Sequence, residues 1–294
     1  MYKQYENPEE LRNIQLVQVD ILREMDRVCQ KLNIPYFLTG GTAIGAVRHG
    51  GFIPWDDDID VVLLRDDYER FLAEAPAELG KEYEVVNTRT EPYFPACNSN
   101  LVRKGTYHVP ECFKNCKYQY AMGIGVFPYD NVPEDLKLRK KQIRRAWFWS
   151  KLCFLRATPF PVLPFDGWKA RLVHGICAAA HGVLVLFHVS QRWLNRQFDK
   201  AATMYNGKTK YVTDMSDTNP NNWLVPVDAI FPLQRVPFEK IEVNLMNKNH
   251  ELLTKGYGDY MQLPPENQRK NHYPSRLDFG DVDLEQVSIY GKQQ

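Results

Sequence analysis

"FLTGGTAIGAVRHGGFIPWDDDIDVVLL", residues 37–64, sets five glycines and four aspartates between two apolar runs. Asp56, Asp57, Asp58 and Asp60 repel one another, and burying them is costly unless a cation joins them. The stretch therefore asks what that cation is. "IPYFLT" (34–39) is short, apolar and aromatic and reads as a strand, "TAIGAVRH" reads as a short helix from Thr42, and "IDVVLL" (59–64) reads as a second strand. Alternate side chains of a strand share a face, so Asp58 and Asp60 project to one side, about 7 Å apart. Two hard oxygen donors at that spacing suit one Mg²⁺ or Mn²⁺. Upstream, Gly40, Gly41 and Thr42 sit where the strand turns into the helix. Backbone N–H groups there form an anion site that glycine lets a phosphate approach closely. A phosphate cradle beside paired aspartates is the apparatus of metal-assisted phosphoryl transfer. The plainer alternative is a glycine-rich turn followed by a solvated acidic loop.

Outward from this stretch, Leu11, Ile14, Val17, Ile21, Met25, Val28 and Leu32 recur at helical spacing, which predicts an amphipathic helix over 8–32 ended by Asn33. "RDDYERFLAEAPAEL" predicts a helix with Asp66 or Asp67 near its N-cap. Residues 83–87, 97–104 and 123–130 are further strand candidates. Helices alternating with strands predict an α/β or α+β core over residues 1–132. From Pro133 the character changes, and residues 133–205 form a basic and apolar helical insert. Residues 206–294 are mixed and turn-rich and complete the catalytic domain.

Across its 294 residues the chain carries 37 basic against 36 acidic side chains, which argues against a nucleic-acid partner for the chain as a whole. Its polar opening, "MYKQYENPEELRN", reads as no signal peptide, and six cysteines without framework spacing read as reduced thiols of a cytoplasmic protein. Cys112 and Cys116 lack a second pair at zinc-ligand spacing. "DFG" (278–280) has no accompanying kinase motifs, and the spacing from Gly45 to Gly50 is followed by no Lys-Ser/Thr, so neither a kinase nor a Walker A loop is indicated.

The stretch "YFLTGGTAIGAVRHGGFIPWDDDIDV" resembles the signature of the LicD family, phosphotransferases related to fukutin within the nucleotidyltransferase-fold superfamily. "GVFPYDNVPED" (125–135) and "YGDYMQLPPENQRKNH" (257–272) resemble its middle and C-terminal motifs, in order. The resemblance implies a nucleotidyltransferase-like mixed sheet flanked by helices. It implies metal-dependent transfer of a phosphorylated small alcohol, most often phosphocholine from CDP-choline, to a hydroxyl of a cell-surface glycan or its lipid-linked precursor, such as a teichoic acid. Carried over by position, Gly40, Gly41 and Thr42 hold the donor diphosphate and Asp58 and Asp60 bind Mg²⁺ or Mn²⁺. Arg48 contacts phosphate or braces the acidic loop, and Trp55 packs against the donor. The third acid of the superfamily is expected before "FP", where this chain has Gly125. Two alternatives stay open: Asp130 turns in from the strand end, or the donor diphosphate itself holds the second ion. His272 and His49 are candidate general bases. Tyr257, Tyr260 and Met261 are candidates for a pocket around a quaternary ammonium. Nucleotidyl transfer from a nucleoside triphosphate and a non-catalytic nucleotide- or glycan-binding role are the competing functions.

The insert combines six cations from Lys137 to Arg145 with Trp147, Phe148 and Trp149, and then an 18-residue apolar run, "LVHGICAAAHGVLVLFHV" (172–189). That pattern fits a peripheral element at the inner face of a membrane, where a lipid-linked acceptor would lie. The competing reading is a buried helix, with His174, His181 and His188 in the core.

Overall fold

In the computed structural model, residue 5 and residues 7–292 are described; residues 1–4 and 6 of the polar opening read above lie outside them. Helix α1 (Pro8–Leu32) starts on Asn7, whose side chain accepts from the Glu9 N–H, with Pro8 in the first turn. It ends on Asn33, which takes the left-handed conformation at φ 52°. Strand β1 (Phe37–Leu38) leads into α2 (Gly40–His49), then β2 (Asp60–Leu64) and α3 (Arg65–Glu74). α3 has Leu64 at its N-cap position, with Asp66 and Asp67 in its first turn, so the two acids lie two and three residues past the cap.

Strands β3 (Tyr83–Val86), β4 (Ser99–Arg103), β5 (Tyr107–Pro110) and β6 (Gly123–Val132) follow, and then helices α4 (Leu136–Ala157), α5 (Trp168–Leu186) and α6 (Gln191–Ala202). The chain returns as β7 (Tyr211–Asp214), β8 (Val225–Pro226), β9 (Gln234–Phe238), β10 (Ile241–Leu245), α7 (Asn249–Tyr257), β11 (Pro274–Asp278) and α8 (Leu284–Ser288). The main sheet runs β1-β2-β6-β4-β3, with β7 pairing the second half of β6 and β8 pairing β7. β2 and β6 are parallel and the other pairs antiparallel. The fold is a mixed α/β sheet flanked by helices. β11 pairs with β5 in a small second sheet, which brings the segment around His272 back to the first half of the chain.

Strand alternation decides what each face can do. Val61 and Leu63 of β2, with Ile124 and Val126 of β6, pack on α1, where Ile14, Val17, Ile21, Leu22, Met25 and Val28 are fully buried. Each such side chain stabilises the fold by about 1.5–3 kcal/mol. Val62, Phe127 and Tyr129 point the other way, into a second cluster with Phe37 and Ile230. Asp60 shares that second face.

α4 and α6 run antiparallel, with Gln142 of α4 donating to the Ala202 carbonyl at one end and Gln191 of α6 donating to the Cys153 carbonyl at the other. α5 is not a core helix. Only 6% of its apolar window is buried, so the expectation of a core role for its histidines fails. His174 and His181 merely tie it to the Pro161 and Leu155 carbonyls, and His188 is exposed at φ 52°.

Candidate active site

The site forms where the start of α2, the lead-in to β2 and residues 257–272 meet. α2 has Thr39 at its N-cap and no side chain capping its free N–H groups, as an anion-binding helix start requires. Gly40 sits at φ +59°, a conformation that penalises any Cβ. A Cβ at Gly41 would stand 2.7 Å from Asp56 Oδ2, so glycine here lets a carboxylate approach the helix start. Thr42 departs from the expected donor contact: it is buried, and its hydroxyl accepts from the Asp60 N–H at 2.9 Å. It fixes the first residue of β2 against α2.

The acidic loop is held from below. Gln15 and Gln18 of α1 donate to the Asp56 and Asp57 carbonyls at 2.8 and 2.9 Å. The Asp57 carboxylate is buried and accepts from Tyr5 Oη and from the His272 N–H, at 3.1 and 2.9 Å on Oδ2. His272 Nδ1 lies 3.1 Å from Asp57 Oδ1 and 3.7 Å from Asp58 Oδ2. Asp57 is thus a brace that fastens the C-terminal motif to the loop, leaving Asp56, Asp58 and Asp60 to face the cleft.

Those three carboxylates load the cleft with negative charge. Burial, then Asp58, Asp57 and Asp60, push Asp56 well above the ordinary carboxylate range. Burial, then Asp58 and Asp214, do the same to Asp60. Asp58 is also raised by burial, with His272 opposing. His272 is pushed up to about 9, first by its hydrogen bond to Asp57. Its Nδ1 is engaged by Asp57, so the ring ties the C-terminal motif to the acidic loop.

Asp130 is corrected as well. It lies five residues past Gly125 and so on the opposite face of β6. There Arg65 donates to both of its oxygens, at 2.9 and 2.6 Å, and Asn206 donates at 2.9 Å. Arg65 also reaches Asp199 of α6 at 3.3 Å, so Asp130 anchors the helical insert to the sheet. Gly125 is the residue opposite Asp60 in the parallel pair. A Cβ there would stand 2.4 Å from the Phe127 ring and 3.0 Å from Asp60 Oδ1; the ring fills the space an acid would take.

Arg48 donates to the Tyr260 carbonyl at 2.5 Å and to His49 Nε2 at 3.0 Å, bracing the C-terminal motif rather than the acidic loop and occupying the nitrogen His49 would need as a base. Trp55 packs against the core, with the Arg269 guanidinium 4.6 Å above its ring. Tyr260 is buried, its hydroxyl on His250 Nδ1, and is a packing residue. Tyr257 does line the site: its hydroxyl is 3.6 Å from where a Gly40 Cβ would stand, and its ring lies against Trp223 at 5.6 Å. Asp60, Asp56 and Asp58, after burial, raise its pKa.

Sequence reading missed Asp214 and Asp217. Asp214 pairs with Tyr129 across β6 and β7, and burial pushes it up to about 6. Both charges are felt at Asp60. Among the described residues no three acids converge as a ready-made metal cage. Asp58 and Asp60 fit a hard divalent ion by donor type and unrelieved charge, with further oxygens left for the substrate to supply.

Comparison with known proteins agrees with this framework. Residues 33–151 match the LicD/FKTN/FKRP nucleotidyltransferase domain. Over 280 residues the chain is 30% identical to the lipopolysaccharide cholinephosphotransferase LicD of Haemophilus influenzae, covering 90% of this chain and 96% of that protein. A 50-residue segment is 42% identical to the ribitol 5-phosphate transferase FKRP of Homo sapiens, 16% of this chain and 10% of that protein. By this similarity the chain is a phosphotransferase. The chain belongs to the LicD family.

Proposed function

We propose that this protein transfers phosphocholine from a CDP-linked donor to a hydroxyl of a cell-surface glycan or its lipid-linked precursor. The observation that carries the reading is the start of α2 at Gly40 and Gly41, without a side-chain cap, set against Asp60 and Asp56. Similarity along nearly all of a cholinephosphotransferase supports the choice of alcohol. The free N–H groups of α2 would hold the donor diphosphate, and Asp58 and Asp60 would hold Mg²⁺ or Mn²⁺. Such an ion neutralises charge on the phosphoryl oxygens and the leaving group. Asp214 and Asp217 add charge from the far side of β6, where Gly125 supplies none. Tyr257 and Trp223 offer aromatic faces near the cleft, the environment a quaternary ammonium prefers. In the reaction the acceptor hydroxyl oxygen bonds to the choline-bearing phosphorus, the bridging P–O bond breaks, CMP leaves, and the hydroxyl proton passes to solvent.

The test is CMP release by the purified protein with Mg²⁺, a glycan acceptor, and CDP-choline, CDP-ethanolamine, CDP-glycerol or CDP-ribitol. CDP-choline should be turned over fastest. Preference for another CDP-alcohol would move the donor assignment, and pyrophosphate release from a nucleoside triphosphate would replace the reaction.

A further inference from the structure

From residue 136 to residue 198 the chain holds twelve Lys and Arg against one acid, Asp166. Six of the twelve gather along the first half of α4, while Lys169 and Arg171 are exposed on the first turn of α5. Lys137, Lys140, Lys141, Arg144 and Arg145 of α4 join Lys200 of α6 around an open groove of about 750 Å³ at the end of the insert nearest the sheet. Phe148 and Trp149 line the far edge of the same groove; Trp147 and Phe148 are half exposed, and Trp149 meets the half-exposed Trp193 of α6 edge-on at 5.6 Å. Beyond them lies α5. Its outer stripe is Trp168, Leu172, Ile176, Val183, Leu186 and Phe187, between 54% and 72% exposed. These positions recur at three- and four-residue spacing and form one continuous apolar ridge. An apolar patch this long is far beyond the scattered exposed side chains of an ordinary surface.

We propose that the insert is a docking surface for an anionic phospholipid bilayer, with α5 lying in the membrane plane. The order of the chemistry matches the order of a leaflet. The apolar ridge meets the acyl chains, the Trp and Phe band meets the interface, and the cationic groove meets the phosphates. α5 is long and apolar enough to cross a membrane, but its place in the fold favours lying flat. His181 is tied to the Leu155 carbonyl at the end of α4, and Arg156 donates to the Val189 carbonyl just past α5. Both bonds come from the last turn of α4, so that turn holds the second half of α5 along the insert. The Asp130–Arg65–Asp199 bridge fixes α6 to the sheet, so docking the insert also sets the orientation of the acidic cleft relative to the bilayer. The inference is independent of the transfer reaction proposed above.

The test is flotation of the full chain with vesicles of phosphatidylglycerol and phosphatidylcholine, and with phosphatidylcholine alone. The wild-type protein should float with the anionic vesicles only. It should be released in 1 M salt, where charges are screened within about 3 Å. Lys140→Ala with Arg144→Ala should weaken partition about 25-fold, at about fivefold per cation. Leu172→Glu with Ile176→Glu changes two exposed side chains and should weaken it about a hundredfold while leaving the circular dichroism spectrum unchanged. Failure to float at low salt, or flotation unaffected by the Leu172 and Ile176 changes, overturns the proposal. So does light scattering that finds a wild-type dimer which those changes dissociate, since α5 would then cover a second copy of the chain.

Discussion

Asp130→Asn separates a structural role from a catalytic one. The wild-type carboxylate is fully buried and receives two bonds from Arg65, at 2.9 and 2.6 Å, and one from Asn206. An asparagine keeps one acceptor oxygen and turns an N–H₂ group toward donors. Arg65 is itself buried, and it retains Asp199 at 3.3 Å and Glu69 at 3.4 Å. Breaking a buried pair costs about 3–5 kcal/mol, and the two surviving partners put this case at the lower end, about 3 kcal/mol. At about 2–4 °C per kcal/mol for a chain near this size, Tm should fall by roughly 6–12 °C. Thermal denaturation followed by circular dichroism measures the shift. Turnover and its metal dependence, assayed well below the lowered Tm, should stay within about twofold, because Asp130 is on the face of β6 away from Asp60. An unchanged Tm with a tenfold loss of metal affinity would refute this reasoning and return Asp130 to the metal site.

Gly41→Ala puts a methyl 2.7 Å from Asp56 Oδ2 and displaces that carboxylate, so steady-state kinetics should show kcat/KM for the donor falling about ten- to a hundredfold with little change in Tm. Gly125→Asp drives the Phe127 ring from its place; calorimetry should show a loss of about 1–3 kcal/mol and metal titration no gain in affinity. His272 is raised from 6.5 to about 9 by Asp57, so its stabilising bond is fully present below pH 6.5 and lost as pH rises through about 9. In EDTA, Tm should drop across that window in the wild type, and His272→Gln should flatten the drop; equal slopes would remove His272 from the account. Asp60 is raised instead, so its charged form opposes folding above the ordinary carboxylate pKa. Asp60→Asn should therefore raise Tm of the metal-free protein near pH 7, and a lower Tm would show that the cleft acids do not repel.

The glycine turn and the helix start were legible because their determinants are local: a glycine at positive φ and the apolar runs on either side all lie within residues 37–64, although β2 begins only at Asp60, so Asp58 stands before the strand. Asp130 was misread although the signal was present, since an odd offset of five from Gly125 already places it on the other face of the strand. Asp214 was not legible. It reaches the neighbourhood of Asp60 only because β7 pairs with β6 at Tyr129, a register set by tertiary packing across a long insert. His272 sits inside a motif that was recognised, but its charge state depends on Asp57, 215 positions earlier, and no linear pattern encodes that bond. α5 was ambiguous for a different reason: an apolar run is the same string whether a core, a partner or a membrane covers it.

The most direct test of the central claim is CMP release from CDP-choline in the presence of Mg²⁺ and a glycan acceptor, followed alongside phosphocholine incorporation into that acceptor. The account predicts that product and CMP appear in equal amounts, that excess EDTA stops both, and that Asp58→Asn with Asp60→Asn abolishes both while leaving the protein folded. Undiminished turnover in EDTA or in that double variant would contradict it.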